Sequence, residues 1–202
     1  MFISFEGIDG CGKTTQINLL NDYLTKTDNL VVAVREPGGT LLSEKIRKIL
    51  LDKENNICKI TELLLFEAAR AELIHNVIKP ALVNSHFVLS DRFIDSTIAY
   101  QGYGRELDIA SINTLNAIST EMIIPNITFY LKLPLSMAKQ RCNSNNFDRM
   151  EQSGDNFLQK VIDGFDFIAS NNTERIVIVD ATQSIEKVFI DIVNELKKKK
   201  IV

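Results

Sequence analysis

Short apolar runs alternate along the chain with longer stretches in which apolar residues recur every three or four positions. Met1 to Glu6, Val31 to Arg35, Phe87 to Ser90, Ile127 to Leu131 and Ile176 to Val179 have the length and continuous apolar character of strands buried on both faces. Between them the spacing turns helical. Lys13 to about Lys26 carries Ile17, Leu19, Leu20, Tyr23 and Leu24 on such a pattern, and Leu42 to Leu51 follows the second run. A long pattern covers 61 to 83, opened by Thr61 as a cap and interrupted near its end by Pro80. Further helices are expected over Leu107 to Met122, Ser136 to Arg141 behind Pro134, Asn156 to Ser170 and Ser184 to Lys199. Asn143 to Phe147 is polar and aperiodic, as in an exposed loop. Strands alternating with helices predict an α/β fold of three layers, a five-stranded parallel sheet flanked by helices. In such sheets ligands bind beyond the carboxyl ends of the strands.

Composition narrows this. A chain of 202 residues with 45% hydrophobic content fills one core, so residues 1–202 are expected to form a single domain. Of 23 basic residues four sit together at Lys197–Lys200, leaving 19 against 26 acidic ones, which argues against nucleic-acid binding. The lysine run reads as a solvated helix end, favourable beside the negative end of the dipole. Three cysteines without CxxC spacing point to a reducing compartment and no structural metal site. There is no apolar stretch of about 18 residues and no basic leader, so a cytoplasmic location away from membranes is expected.

The strongest chemical signal is Gly7-Ile8-Asp9-Gly10-Cys11-Gly12-Lys13-Thr14, which fills the template G-x-x-x-x-G-K-[ST] between a strand and a helix. Glycines let the backbone amides turn inward around an anion, and the helix start adds unpaired N–H groups and the positive dipole end. Lys13 adds a full charge for the β- and γ-phosphates of a nucleotide, and the Thr14 hydroxyl is a ligand for Mg²⁺. Other unusual residues also follow strands: Arg35-Glu36 after the second, Asp91-Arg92 after the third. Arg92 is therefore expected to bind ligand, and Asp91 to organise Mg²⁺ or simply to end its strand. Asp9 is open between a role at metal or phosphate and that of a turn former. Arg105 and Arg175 read as solvated surface groups.

The stretch Phe5 to Gln16, then Arg35-Glu36-Pro37-Gly38-Gly39-Thr40, then Asp91-Arg92-Phe93 and Asp95-Ser96-Thr97-Ile98-Ala99-Tyr100-Gln101-Gly102, resembles bacterial thymidylate kinases of the P-loop nucleoside monophosphate kinase superfamily. The likeness runs to about Glu151 in order and spacing and is looser beyond. It implies ATP as donor, Mg²⁺ as cofactor, dTMP as acceptor, a step in dTTP synthesis and a homodimer formed through helices such as that at 61–83. It also implies that Phe66 stacks on the thymine and Arg70, one turn on, reads its edge. Arg92 and Arg47 would hold the acceptor phosphate. Ser96, Thr97, Tyr100 and Gln101 would line the nucleoside pocket, Tyr100 against the sugar, and Glu36 would lie near the 3′-hydroxyl.

In this branch Gly10 stands where other members carry a basic residue, and arginines on a lid compensate. The lid here, approximately 142–152, is poor in arginine. Arg149 is left as the residue expected to touch the transferring phosphoryl group, and Arg141 as the one expected against adenine. The catalytic set is then Lys13, Arg92, Arg149, Asp9 and Glu36. Two alternatives stand beside it. One is another pyrimidine nucleoside monophosphate kinase. The other is a GTPase-type switch, against which the chain has no N-K-x-D, and Asp91-Arg92-Phe93-Ile94 where D-x-x-G would be.

Overall fold

The computed structural model describes residues 1–142, 149–150 and 153–202. Strands β1 (Phe2–Glu6), β2 (Val31–Arg35), β3 (Phe87–Asp91), β4 (Ile127–Lys132) and β5 (Ile176–Asp180) form, among these residues, a parallel sheet in the order β2-β3-β1-β4-β5. Register aligns Phe5 of β1 with Asp91 of β3 and with Phe129 of β4. The chain leaves β1 toward β2 on one side and leaves β3 toward β4 on the other. A crevice therefore opens at the carboxyl ends of β1 and β3.

The sheet is apolar on both faces because helices cover both. Along β1, Phe2 joins a cluster with Leu73, Ile78, Val88 and Phe93, whereas Ile3 and Phe5 join Leu20, Leu24, Phe129 and Leu196. Neighbouring residues entering different clusters is the two-residue period of a strand. Helices α1 (Lys13–Thr25) and α9 (Ile185–Lys198) pack on each other, and α2 (Leu41–Leu51) packs on α3 (Lys59–Leu73).

The expected long helix over 61–83 is three pieces. Helix α3 begins earlier, after Cys58 rather than at Thr61, and runs into a π-helical turn, Ile74–Ile78, and then α4 (Lys79–Val83). Pro80 lies at the start of α4, directly after the π-helical turn. The helix expected over Leu107–Met122 is the shorter α6 (Ile109–Ser119), capped by Asp108, whose carboxylate accepts from the Ser111 amide at 2.8 Å. Helix α7 spans Leu135–Arg141 and α8 spans Asp155–Asn171.

Periodicity missed the segment after β3. Residues 94–104 are helical, a single turn α5 (Ile94–Thr97) continuing as a π-helix, Ile98–Gly104. Its glycines look like breakers but serve packing against α6 and α8: a Cβ at Gly102 would run into Ile109, and one at Gly104 would lie 2.6 Å from the Phe157 ring. No helix of the described residues is long and apolar enough to cross a membrane.

Phe129 is fully buried in β4 with its ring centroid 5.5 Å from that of Phe5. Phe129→Ala is expected to lower stability by about 3–5 kcal/mol, measured by denaturant unfolding.

Candidate active site

The loop from Gly7 to Gly12 curls over the end of β1 through three glycines with positive φ, Gly7 at 135°, Gly10 at 81° and Gly12 at 95°. Close approach also matters at Gly10, where a Cβ would lie 2.8 Å from the Ala138 carbonyl oxygen of α7. The side chain that this position lacks thus has no room on this backbone. Lys13 opens α1, and its Nζ donates to the carbonyl oxygens of Gly7 at 3.1 Å and Ile8 at 3.2 Å. The helix has no side-chain cap and no acidic residue in its first turn, so its leading N–H groups stand ready for an anion. Thr14 Oγ1 donates to Asp91 Oδ2 at 2.7 Å, which joins hydroxyl and carboxylate across the ends of β1 and β3.

Arg92 adopts φ 72°, a left-handed backbone uncommon for an arginine. The turn is pinned on both sides: the Arg92 amide donates to the Phe5 carbonyl at 3.0 Å, and the Ser90 hydroxyl donates to the Arg92 carbonyl at 2.6 Å. Its guanidinium donates to the Gly7 carbonyl at 2.9 Å, to Asp9 Oδ1 at 2.7 Å and to Ser96 Oγ at 3.2 Å, and lies 5.0 Å from the centre of the Tyr100 ring. Burial pushes the Asp9 carboxyl up, but Arg92 and Lys13 outweigh it and hold it down at about 2. Asp9 is thus a carboxylate paired with two cations.

Beside Arg92 opens a cavity of about 210 Å³. Arg47 and Phe66 come to its wall from α2 and α3, Arg70 one turn beyond Phe66, and Ser96, Thr97, Tyr100 and Gln101 from the helical segment after β3. Every residue expected to bind the acceptor borders this space, together with Pro37, Leu51 and Met150, which were not anticipated. Phe66 is half-buried and packs on Ile46, Leu50 and Ala69. Arg47 donates to the Pro37 carbonyl at 2.9 Å. Arg70 is buried and densely bonded, to Glu36 at 2.8 Å, Glu67 at 3.0 Å, Asn116 at 2.7 Å and the Phe93 carbonyl at 3.2 Å. Burial pushes the Glu36 carboxyl up while Arg70 pulls it down, and Oε1 of Glu36 has no hydrogen-bond partner among the described residues.

A second, larger crevice of about 770 Å³ follows the phosphate loop past Lys13, Thr14 and Asp91 to Arg141. Asp9, Glu36, Arg47 and Arg92 border both spaces. Arg141 donates to the Ala181 carbonyl at 3.0 Å. Arg149 is not brought to the phosphate loop. Its guanidinium lies 2.7 Å from Glu62 Oε2 and donates to the Leu50 carbonyl at 2.7 Å. The reason is the buried Glu62 carboxylate, which also accepts from Gln101 at 3.0 Å and Arg105 at 3.1 Å and gathers cations around it. The remaining lid positions, 143–148 and 151–152, lie outside the described residues.

Arg105 and Arg175 are not solvated surface groups. Arg105 pairs with Glu62, and Arg175 grips Asp95 through two bonds of 2.7 Å and donates to Thr128 at 2.7 Å. Sequence reasoning also passed over Glu6, Glu62, Glu67 and Asn116, all buried polar groups of this region. The available signal was a glutamate ending an apolar strand and two on the buried face of a helix, positions where carboxylates are rare unless paired. Glu6 is fully buried. Burial pushes its carboxyl up and Asp95 adds to this, against the pull of Ser96, Arg92 and the Phe93 amide.

A parallel α/β sheet with a phosphate loop at its switch point, and a second cavity facing that loop across two arginines, is the architecture of a P-loop phosphotransferase. A family model described as "Thymidylate kinase" matches residues 5–192. The chain is 48% identical over 198 residues to the thymidylate kinase of Thermosipho africanus, covering 98% of each. It is 46% identical over 193 residues to that of Fervidobacterium nodosum, covering 96% of each. The crystal structure of thymidylate kinase from Ehrlichia chaffeensis superposes with a TM-score of 0.82 at 38% identity, over 97% of this chain and 98% of that one. The chain belongs to the thymidylate kinase family.

Because the Asp9 carboxyl is depressed in the folded state, its contribution to stability is present above about pH 4 and is lost as pH falls toward 2. Its side chain is 45% exposed, so the effect is expected to be at most about 1 kcal/mol. Unfolding of Asp9→Asn followed between pH 5 and pH 3 should accordingly show a shallower acid decline than the parent chain.

Proposed function

We propose that this chain transfers the γ-phosphoryl group of ATP to the 5′-phosphate of dTMP, giving ADP and dTDP. The observation that carries this reading is the meeting of two cavities at Asp9, Glu36, Arg47 and Arg92. One is open at a helix start suited to a triphosphate, and the other is nucleoside-sized and lined by an aromatic ring and arginines. The acceptor is itself a phosphate, anionic at neutral pH, so no strong general base is needed. The task is to bring two anions into line and neutralise their charge.

Lys13 and the first amides of α1 receive the β- and γ-phosphates, and the amides of Ile8 to Gly12 wrap them. Arg92 and Arg47 receive the acceptor phosphate; Arg92 is already oriented by Asp9, so little side-chain freedom is lost when the anion arrives. Phe66 stacks on the thymine with Arg70 at its edge, while Ser96, Thr97 and Gln101 line the nucleoside. Tyr100 crowds the 2′ position, and the unpartnered Glu36 oxygen takes the 3′-hydroxyl. Arg141 packs on adenine.

Thr14 and Asp91, joined at 2.7 Å, offer the hard oxygen donors that would hold Mg²⁺. When bound, Mg²⁺ neutralises charge on the donor phosphates. Residues 142–152 serve as the lid of one domain spanning 1–202. Homodimer formation through α3 is supported by the exposed Ile60 and Leu64 on that helix. The enzyme works in the cytoplasm.

Purified protein is expected to show its highest kcat/KM with dTMP when dTMP, dUMP, UMP and dCMP are compared by ADP release. Lys13→Ala, run in the same assay, should lose activity by about 10²-fold or more. If another nucleotide leads, the specificity falls while phosphoryl transfer stands.

Arg149 reaches the transferring phosphoryl group by exchanging its Glu62 partner for it. Arg149→Ala is then expected to lower kcat about 10²-fold with dTMP KM retained. A raised dTMP KM with kcat retained would assign the residue to the cavity wall instead.

A further inference from the structure

We infer that Glu6 is a positioning residue for Arg92, and through it for the acceptor phosphate. The inference rests on the reading of Arg92 as the acceptor-phosphate arginine. Glu6 is the last residue of β1, wholly buried beneath the turn that follows β3. Its two carboxyl oxygens meet two donors from that turn: Oε1 accepts the Phe93 amide at 2.7 Å, and Oε2 accepts the Ser96 hydroxyl at 2.5 Å.

Each donor bears on Arg92. The Phe93 amide belongs to the peptide directly after Arg92, so its bond to Glu6 holds the far side of a left-handed residue whose near side is held by Phe5. The Ser96 hydroxyl, with its hydrogen committed to Glu6, turns its lone pairs outward and accepts from Arg92 Nη1 at 3.2 Å. Burial pushes the Glu6 carboxyl up to about 8, so in the ionised form, above that pH, a directed chain results, Arg92 to Ser96 to Glu6, in which a carboxylate at the bottom sets the polarity at the top. Asp95, next to Ser96 in sequence, is held by Arg175 through two bonds, so its charge is met from the opposite side and the Glu6 oxygens remain for the turn.

Glutamine in place of glutamate keeps the shape but has one acceptor and one donor. The Phe93 amide can only donate and claims the amide oxygen; Ser96 then faces an N–H and must reverse its hydroxyl, which brings a hydrogen toward Arg92. Arg92 loses the acceptor that fixes one arm of its fork while its bonds to Asp9 and Gly7 persist. The phosphate loop and α1, which Glu6 does not touch through its side chain, are left as they are.

The test is steady-state kinetics at pH 9, where Glu6 is ionised, of Glu6→Gln, Ser96→Ala and the double variant, with dTMP and ATP varied separately, thermal unfolding measured alongside, and Arg92→Ala in parallel. Expected for Glu6→Gln is a fall of about tenfold in kcat/KM for dTMP, with KM for ATP within about twofold of the parent. Because both changes break one chain, the double variant should be little worse than the poorer single one. Unchanged dTMP kinetics in Glu6→Gln would overturn the proposal. So would equal losses toward both substrates accompanied by a collapse in Tm, or fully multiplicative effects in the double variant. Ser96→Ala removes only the upper link and keeps the Phe93 bond, so the proposal stays testable should Glu6→Gln fold poorly. If Arg92→Ala itself leaves dTMP kinetics unchanged, the acceptor-phosphate reading fails and the proposal with it. If Arg92→Ala is impaired while Glu6→Gln is normal, only the role of Glu6 is lost.

Discussion

A half-buried guanidinium set between an aspartate, a loop carbonyl and a tyrosine ring ties the turn after β3 to the loop after β1. Arg92 makes these contacts from a strained backbone, and they hold together the two halves of the site, since Asp9 and Gly7 belong to the phosphate loop and Tyr100 and Ser96 to the wall of the adjoining cavity. A local cost on the order of 1–3 kcal/mol persists only where the surroundings over-determine it. Here they do, through Phe5, Ser90, Asp9 and Glu6. The arginine is in consequence pre-oriented, and an arriving anion meets a fork whose freedom is already spent.

Buried carboxylates recur around this contact, and four of them are answered by cations. Glu36 and Glu67 share Arg70, Glu62 takes Arg105 and Arg149, and Asp95 takes Arg175. Such pairs return little net stability, because desolvation consumes most of the attraction, but losing one partner strands a charge. Their effect is geometric. Glu62 in α3 fixes Gln101 after β3 together with Arg149, so three distant stretches of chain share one carboxylate.

Two irregular helices matter as much as the sheet. The π-helical segment Ile98–Gly104 has Tyr100 and Gln101 on successive positions, and both border the cavity beside Arg92. The π turn at Ile74–Ile78 divides what would otherwise be one long helix. Neither follows from a 3.6-residue period, which is why the first went unassigned and the second was read as straight helix. The glycines at 102 and 104 look like breakers when only neighbours in sequence are considered. Their reason is contact with Ile109 and Phe157 across space.

The five strands, their parallel arrangement and the phosphate loop were legible because each rests on local chemistry: continuous apolar runs, helical spacing between them, and glycines at fixed offsets before Lys13. Of the residues bordering the cavity beside Arg92, all but Pro37, Leu51 and Met150 were named from the sequence through motifs and the resemblance they carry. What the sequence by itself could not determine was which charges find one another. Arg105 and Arg175 read as surface groups because a lone arginine is ordinarily solvated; their partners, Glu62 and Asp95, lie 43 and 80 residues away. Arg149 sits in a motif that points to the phosphoryl group, yet the tertiary structure holds it on Glu62. Glu6 read as the end of a strand, and only the packing of the β3 turn onto β1 made it the acceptor beneath Arg92. Local periodicity is set by neighbours along the chain, whereas the pairing of buried charges is decided by which distant segments the fold desolvates together.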